Sequence, residues 1–174
     1  MDKVFTKENF FSNVDQIRKI SLTSKYYRHD EMKSRVNWRG CRTKELSNFK
    51  NEILDQSKNQ IINQIAEIFE LKNISILSFF HMTFSHTKNT LNNFDENKWH
   101  RDKGCNYAGI VYLTPNPPKS SGTSIILDGE QIDVQNYYNR IVAYPSHLNH
   151  APTDLFGDTI QNGRITLTFF IFAR

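Results

Sequence analysis

From Leu46 onward, apolar residues recur at steps of three and four: Leu46, Phe49, Ile53, Leu54, Ile61, Ile62, Ile65, Ala66 and Phe69. That spacing lines one face of an α-helix, predicted over about residues 45–70 with a break near Ser57. After Asn73 the period falls to two. "ISILSFFHMTFSH" sends Ile74, Ile76, Phe80, Met82 and Phe84 to one side and Leu77 and Phe79 to the other, as in a strand covered on both faces. Short β-prone runs follow at 107–113, 123–127, 131–135, 140–145 and 164–173, separated by turns such as "TPNPPKSSG" and "DGE". Many short strands with no helices between them predict an antiparallel sandwich or barrel. Upstream, residues 1–43 hold aromatic islands ("NFF", "KYY", "VNW") without a sustained period and read as an irregular arm.

The chain of 174 residues has room for one domain with a proper core. Its expected parts are the arm (1–43), a helical support (44–72) and a β core (73–174). A hydrophobic share of 38%, 13% of the chain being aromatic, excludes a disordered or fibrous chain. No apolar run approaches the roughly 20 residues that span a bilayer, and "MDKVFTKENFF" lacks the apolar core of a signal peptide, so a cytoplasmic, non-membrane protein is expected. Cys41 and Cys105 stand far apart with no second cysteine nearby, which suits two free thiols.

Charge is unevenly spread. Residues 17–44 hold nine Lys/Arg against Asp30 and Glu31, a net of +7 within a chain of net +4. Such a block can attract phosphates or an acidic polypeptide, but is more commonly solvated surface.

The chemistry-bearing residues begin at "KWHRDKG". Two residues apart on a strand, His100 and Asp102 would project from one face, as two ligands of a single ion must. A third ligand has two candidates in "YPSHLNHAPTD", His147 and His150, about 50 residues downstream. Two imidazoles and a carboxylate suit Fe(II) with open coordination positions, whereas three histidines or cysteines would favour zinc or copper. Further on, "RITLTFF" puts Arg164, Thr166 and Thr168 on one strand face and Ile165, Leu167 and Phe169 on the other. A buried arginine is costly unless it meets an anion, and its planar fork suits a carboxylate. Trp99 is a candidate substrate wall, although aromatic residues beside strands are more commonly core; His81 and His86 read as structural or solvent-facing.

These residues resemble the 2-oxoglutarate and Fe(II)-dependent dioxygenase superfamily, and in particular its small prolyl-hydroxylase-like members of phage and marine-bacterial type. The resemblance rests on "HRD", a histidine some 50 residues on, and "RIT" fourteen residues after that. "YAGIVYLTPNPPKSSGTSI", "AYPSHLNHAPTDLFGDTIQNGRITLTFF" and "WRGCRTKEL" are similar to the corresponding stretches of such members. It covers about residues 75–174 and implies a double-stranded β-helix, or jelly roll, with an N-terminal helix.

By this resemblance His100, Asp102 and His150 would bind iron, His150 being preferred because family members place the ligand after a P-S-x-x-x-H-A stretch. Arg164 and Thr166 would hold the far carboxylate of 2-oxoglutarate, and Tyr112 is a further candidate for lining that pocket. The implied reaction uses Fe(II), 2-oxoglutarate and O2 to hydroxylate a C–H bond, releasing succinate and CO2. The implied substrate is a protein or peptide side chain of prolyl type, or a free amino acid. Related halogenases replace the carboxylate ligand by a small residue, whereas this chain keeps Asp102; nucleic-acid demethylases carry a second arginine six residues after the first, where this chain has Phe170. Two other classes compete: a jelly roll that binds metal without oxygenase activity, including a zinc hydrolase, and a nucleic-acid module using the basic 17–44 segment with Tyr26, Tyr27 and Trp38.

Overall fold

The apolar residues of residues 46–69 do form a helical layer, but in two pieces. In the computed structural model, which describes residues 2–32, 38–85 and 99–174, the chain order is β1 (Phe5–Lys7), α1 (Val14–Thr23), β2 (Tyr27–Arg28), β3 (Cys41–Arg42), a short 3-10 helix (Leu46–Phe49), α2 (Glu52–Phe69), β4 (Ile74–Thr83), β5 (Tyr107–Tyr112), β6 (Gly122–Leu127), β7 (Glu130–Gln135), β8 (Ile141–Pro145), β9 (His150–Pro152) and β10 (Arg164–Ala173). The predicted break falls at Lys50, not Ser57. Lys50 adopts a left-handed backbone, and Asn51 then caps α2 by accepting a hydrogen bond from the Leu54 amide at 3.2 Å. Ser57 stays inside α2 because its hydroxyl donates to the Ile53 carbonyl.

The strands pair antiparallel into two sheets, of order β1-β8-β5-β10-β4-β3-β2 and β7-β6-β9. This is the mainly β, two-sheet architecture with helical support that the patterning predicts. β10 lies inside the larger sheet, with ten residue pairs to β4 on one side and six to β5 on the other. Its alternation divides the interior. Ile165, Leu167, Phe169 and Ile171 enter a core shared with Phe80 and Met82 of β4 and with Ile17, Leu54, Ile61 and Ile65 of the helices. A second, smaller core lies between the sheets and contains Tyr112, Ile125, Val134, Val142 and Leu148. Gly109 is needed in β5 because a Cβ there would stand 2.3 Å from the Phe169 ring.

The N-terminal region departs from expectation. Residues 1–43 are not an irregular arm: β1 extends the large sheet along β8, and α1 buries Ile17 completely. The helix escaped detection because its ten residues are short and charged, leaving no long periodic window. Asn139 fastens this region, its side chain both donating to the Phe11 carbonyl and accepting from the Phe11 amide at 2.8 Å. Nor do the basic residues of 17–44 form one solvated face. Arg18 donates to the carbonyls of Leu113 and Gln161, Arg28 pairs with Asp30, and Arg39 and Arg42 line an internal cavity. Lys33, Arg35 and His86 lie outside the described residues. Among the described residues no helix is long and apolar enough to cross a membrane.

Ile61 sits wholly inside the helix–sheet core, so Ile61→Ala is expected to cost about 2–5 kcal/mol in a urea titration. Leu77→Ala, at a side chain that is 43% exposed, should stay within about 0.5 kcal/mol.

Candidate metal centre and its cavity

His100, Asp102 and His150 are assembled by backbone hydrogen bonds across a turn. The His100 amide donates to the His150 carbonyl at 3.0 Å and the His150 amide returns a bond to the His100 carbonyl at 2.9 Å. Two residues on, the Asp102 amide donates to the Ser146 carbonyl, and the Ser146 amide donates to the Asn106 carbonyl, both at 3.0 Å. The expected regular strand through His100 and Asp102 is therefore absent. His100 forms an isolated bridge with His150, and Asp102 lies in a loop, so the two converge by pinning to the β8–β9 turn rather than by strand alternation.

One donor atom from each of the three residues lies within 4.8 Å of the others. His150 Nε2 is 3.3 Å from an Asp102 carboxylate oxygen, and the two imidazole rings are 4.3 Å apart. His150 is buried, its ring against Tyr144 and its Nδ1 3.0 Å from the Leu148 carbonyl. A carbonyl can only accept, so Nδ1 donates there, and Nε2, which faces the Asp102 carboxylate, is the nitrogen that would exchange its proton for a cation. Burial by itself would raise the Asp102 carboxyl, but the hydrogen bond and charge of His150, with His100 and Arg42 adding, hold it below its ordinary value. Two imidazoles and an ionised carboxylate facing one point fit a divalent ion of the Fe(II) type. The rival third ligand, His147, is exposed and turned away, its Nε2 2.7 Å from Asp2.

The triad opens on a cavity of about 880 Å³ between the two sheets. The polar face of β10 forms part of its wall through Arg164, Thr166 and Thr168. Arg164 is only 6% exposed, yet among the described residues no carboxylate pairs with it. One Nη donates to the Gly122 carbonyl at 3.1 Å, the guanidinium lies 5.5 Å from the Tyr112 ring centre, and Nε has no hydrogen-bond partner. Burial pulls its pKa down, as it must for a cation without a counter-ion. A buried guanidinium that lines a cavity with no counter-ion suits a carboxylate ligand. Beside it, the Thr166 and Thr168 hydroxyls are 3.1 Å apart.

Tyr112 stands next to this wall, in the core between the sheets. It shares the sheet face of Thr166 but is fully buried, its hydroxyl 2.7 Å from that of Thr123, so it packs beside Arg164 and is not among the residues that line the cavity. Half-buried Trp99 is not among the residues that line the cavity, and Trp38 is the tryptophan found there. Sequence reasoning gave His81 only a structural or solvent-facing place and passed over Tyr144 and Arg42 as site residues, yet all three line the cavity. His81 was legible in principle, because it alternates with Phe79 on the face of β4 opposite to Phe80 and Met82. Burial and the nearby Arg42 keep its imidazole well below the usual histidine range, hence neutral.

No family model matches the chain, and no curated protein sequence matches it. Solved structures do. The chain is similar to a prolyl-4-hydroxylase from Pseudomonas putida, with a TM-score of 0.68 at 15% identity, covering 100% of this chain and 94% of that one. Prolyl 4-hydroxylase from Phytophthora capsici gives 0.64 at 10% identity over 98% of this chain and 58% of that one. A prolyl hydroxylase from Trichoplax adhaerens, solved with a hypoxia inducible factor peptide fragment, gives 0.55 at 9% identity over 98% and 83%. The chain thus has the jelly-roll fold of these prolyl hydroxylases, as its motifs led one to expect.

Loss of an outer-shell partner commonly weakens a metal site by roughly 10–100-fold, so removing a ligand should do more. In calorimetric titrations with Mn(II), His150→Ala is expected to lower affinity by more than 100-fold on that scale, while His147→Ala leaves it unchanged. Equal losses in the two variants would place the ion elsewhere.

Proposed function

We propose that this chain is a 2-oxoglutarate- and Fe(II)-dependent dioxygenase that hydroxylates a C–H bond in a peptide side chain of prolyl type or in a free amino acid. One observation carries the reading: a two-histidine, one-carboxylate cluster shares a cavity with a buried arginine that has no anion of its own. The fold shared with prolyl hydroxylases, one of them bound to a peptide, supports the same class by analogy. Residues 1–174 act in this reading as one domain, with the helices backing the sheet that carries Arg164.

His100, Asp102 and His150 would hold Fe(II), leaving coordination positions open. Together with 2-oxoglutarate and O2, that ion supplies the C–H hydroxylation, with succinate and CO2 released. The protein's own part is positional. Arg164 would take the far carboxylate of 2-oxoglutarate on its fork, with the Thr166 hydroxyl beside it as a further donor. Tyr112 and the Gly122 carbonyl keep the guanidinium in one place, so the co-substrate meets a preformed site. Phe79, Ile110 and Phe170 line the cavity with apolar surface that limits water near the reacting carbon. Asp102 retains the carboxylate that distinguishes hydroxylation from halogenation in this class. A zinc hydrolase built on the same triad would give a buried arginine beside Thr166 nothing to do.

Mixing metal-free protein with Fe(II) and 2-oxoglutarate under anaerobic conditions should give the visible charge-transfer band of the chelate. His100→Ala should abolish it. Arg164→Met should raise the 2-oxoglutarate concentration needed for half-saturation by about tenfold or more, the scale of a lost charge-assisted hydrogen bond. No band in the unaltered protein, or an undiminished band in folded variants, would sink the proposal.

A further inference from the structure

Register places a second arginine on the same sheet face as the first. Arg42 of β3 pairs with His81 of β4, His81 with Thr166 of β10, and Thr166 with Tyr112 of β5, so one rung crosses four strands. Arg164 lies two residues from Thr166 along β10. With strands about 4.8 Å apart and about 3.4 Å per residue, the Cα atoms of Arg42 and Arg164 are roughly 12 Å apart. The two arginines thus stand at different corners of one cavity.

Gly40 fixes where Arg42 stands. It has φ +73°, and a Cβ there would lie 2.2 Å from the Met82 carbonyl oxygen, so only glycine lets the chain enter β3 this close to β4. The Arg42 guanidinium then lies 5.1 Å from the Trp38 ring, 5.8 Å from Phe170 and 5.9 Å from Phe79. Rings on its flanks leave the edge of the fork for an acceptor. Its Nε is sealed from water without a hydrogen-bond partner, and among the described residues no salt bridge reaches it. Burial lowers its pKa to about 10 against the opposing pull of the Asp102 carboxylate, so it is charged at neutral pH. A cation in this setting is costly unless something neutralises it.

The cavity as a whole repeats the imbalance. Among the described residues it is lined by Arg39, Arg42, Arg101, Lys103 and Arg164, against the single carboxylate of Asp102. Loading does not correct this, because the charge of Fe(II) and that of 2-oxoglutarate cancel and the co-substrate occupies Arg164. We propose that Arg42 anchors a carboxylate of the substrate, seated between the Trp38–Phe79–Phe170 wall and the metal triad. This inference rests on the oxygenase reading and narrows its substrate to an acidic one. The carboxylate comes either from the free α-carboxyl of an amino acid or from an acidic side chain in a peptide. Nucleic acid fits less well, because it needs a track of cations along a groove. Among the described residues Arg18 is used on backbone carbonyls and Arg28 pairs with Asp30, so neither is available to such a track.

The test titrates the protein carrying Fe(II) and 2-oxoglutarate under anaerobic conditions with matched probes. N-acetyl-L-proline and its amide represent the free carboxylate; a tetrapeptide with a Glu-Pro core and its Gln-Pro counterpart represent the side chain; an eight-residue oligothymidylate represents nucleic acid. At least one acid should bind about tenfold or more tightly than its neutral partner, as expected for a hydrogen-bonded charge pair. Arg42→Gln should erase that preference while the chelate band persists, and Arg42→Lys should retain part of it. Three results would overturn the proposal: no acid preferred over its neutral partner, a band lost in Arg42→Gln, or the oligonucleotide binding more tightly than both acids. A missing band in the unaltered protein would instead remove the oxygenase reading, and an Arg42-dependent preference for an acid would survive that failure.

Discussion

β10 has two faces that cannot be exchanged. Ile165, Leu167, Phe169 and Ile171 turn toward the helices, while Arg164, Thr166 and Thr168 turn toward the smaller sheet. Slipping the strand by one residue would drive a guanidinium into an apolar core and four large side chains into a polar cavity. Each of those side chains contributes on the order of 1.5–3 kcal/mol when buried, and an unpaired charge in the core costs several kcal/mol. The register against β4 and β5 is therefore set by burial, and Arg164 is held inside the molecule by the hydrophobic face behind it. Its cost is tolerated because the rest of the strand has nowhere else to go.

The cavity follows from the same constraint. Where the facing positions are Tyr112, Ile125, Val134 and Val142, the two sheets close on each other as an ordinary sandwich core. Where they are Arg164, Thr166 and Thr168, close packing would leave a cation and hydroxyls without partners, and the space stays open. The metal triad sits on the far side of that space because β9 begins with His150 and pairs with β6 of the smaller sheet. Groups suited to an anion and groups suited to a cation thereby face each other across the cavity, and a molecule bound by both would be oriented at both ends.

Much of this was legible in the residues. The alternation in β10, the positions of the six longer strands and the His100–Asp102–His150 set could all be read because each depends on local spacing or on a chemically distinctive residue type. What was not legible depends on contacts made at a distance. α1 is helical although its pattern is weak, since Ile17 packs into a core made by other elements and Arg18 reaches carbonyls far along the chain. His100 and Asp102 were expected to converge through strand geometry and instead converge through bonds to the turn after β8. Trp99 drew notice as a neighbour of the ligands, yet the tryptophan at the cavity is Trp38, brought there by pairing of β3 with β4. Edge strands of two residues leave no periodic trace.

The basic segment shows how chain position and spatial role separate. Read along the sequence, residues 17–44 form a block of like charge that suggests a single sticky surface. In the fold its members part company: one stitches a helix to backbone carbonyls, one pairs with an aspartate, and two enter the cavity. Net charge therefore says little about the partner. The informative quantity is which cations are removed from water without receiving an acceptor, because only those stand to gain much when an anion arrives. Arg164, buried, meets that condition, and Arg42, partly buried, approaches it; each has an Nε sealed from water without a partner, at separate corners of one cavity. A single small dicarboxylate held at Arg164, as proposed, would leave the other corner unsatisfied, and the ligand preference proposed for the site follows from this residual imbalance more than from the excess of basic residues in the chain.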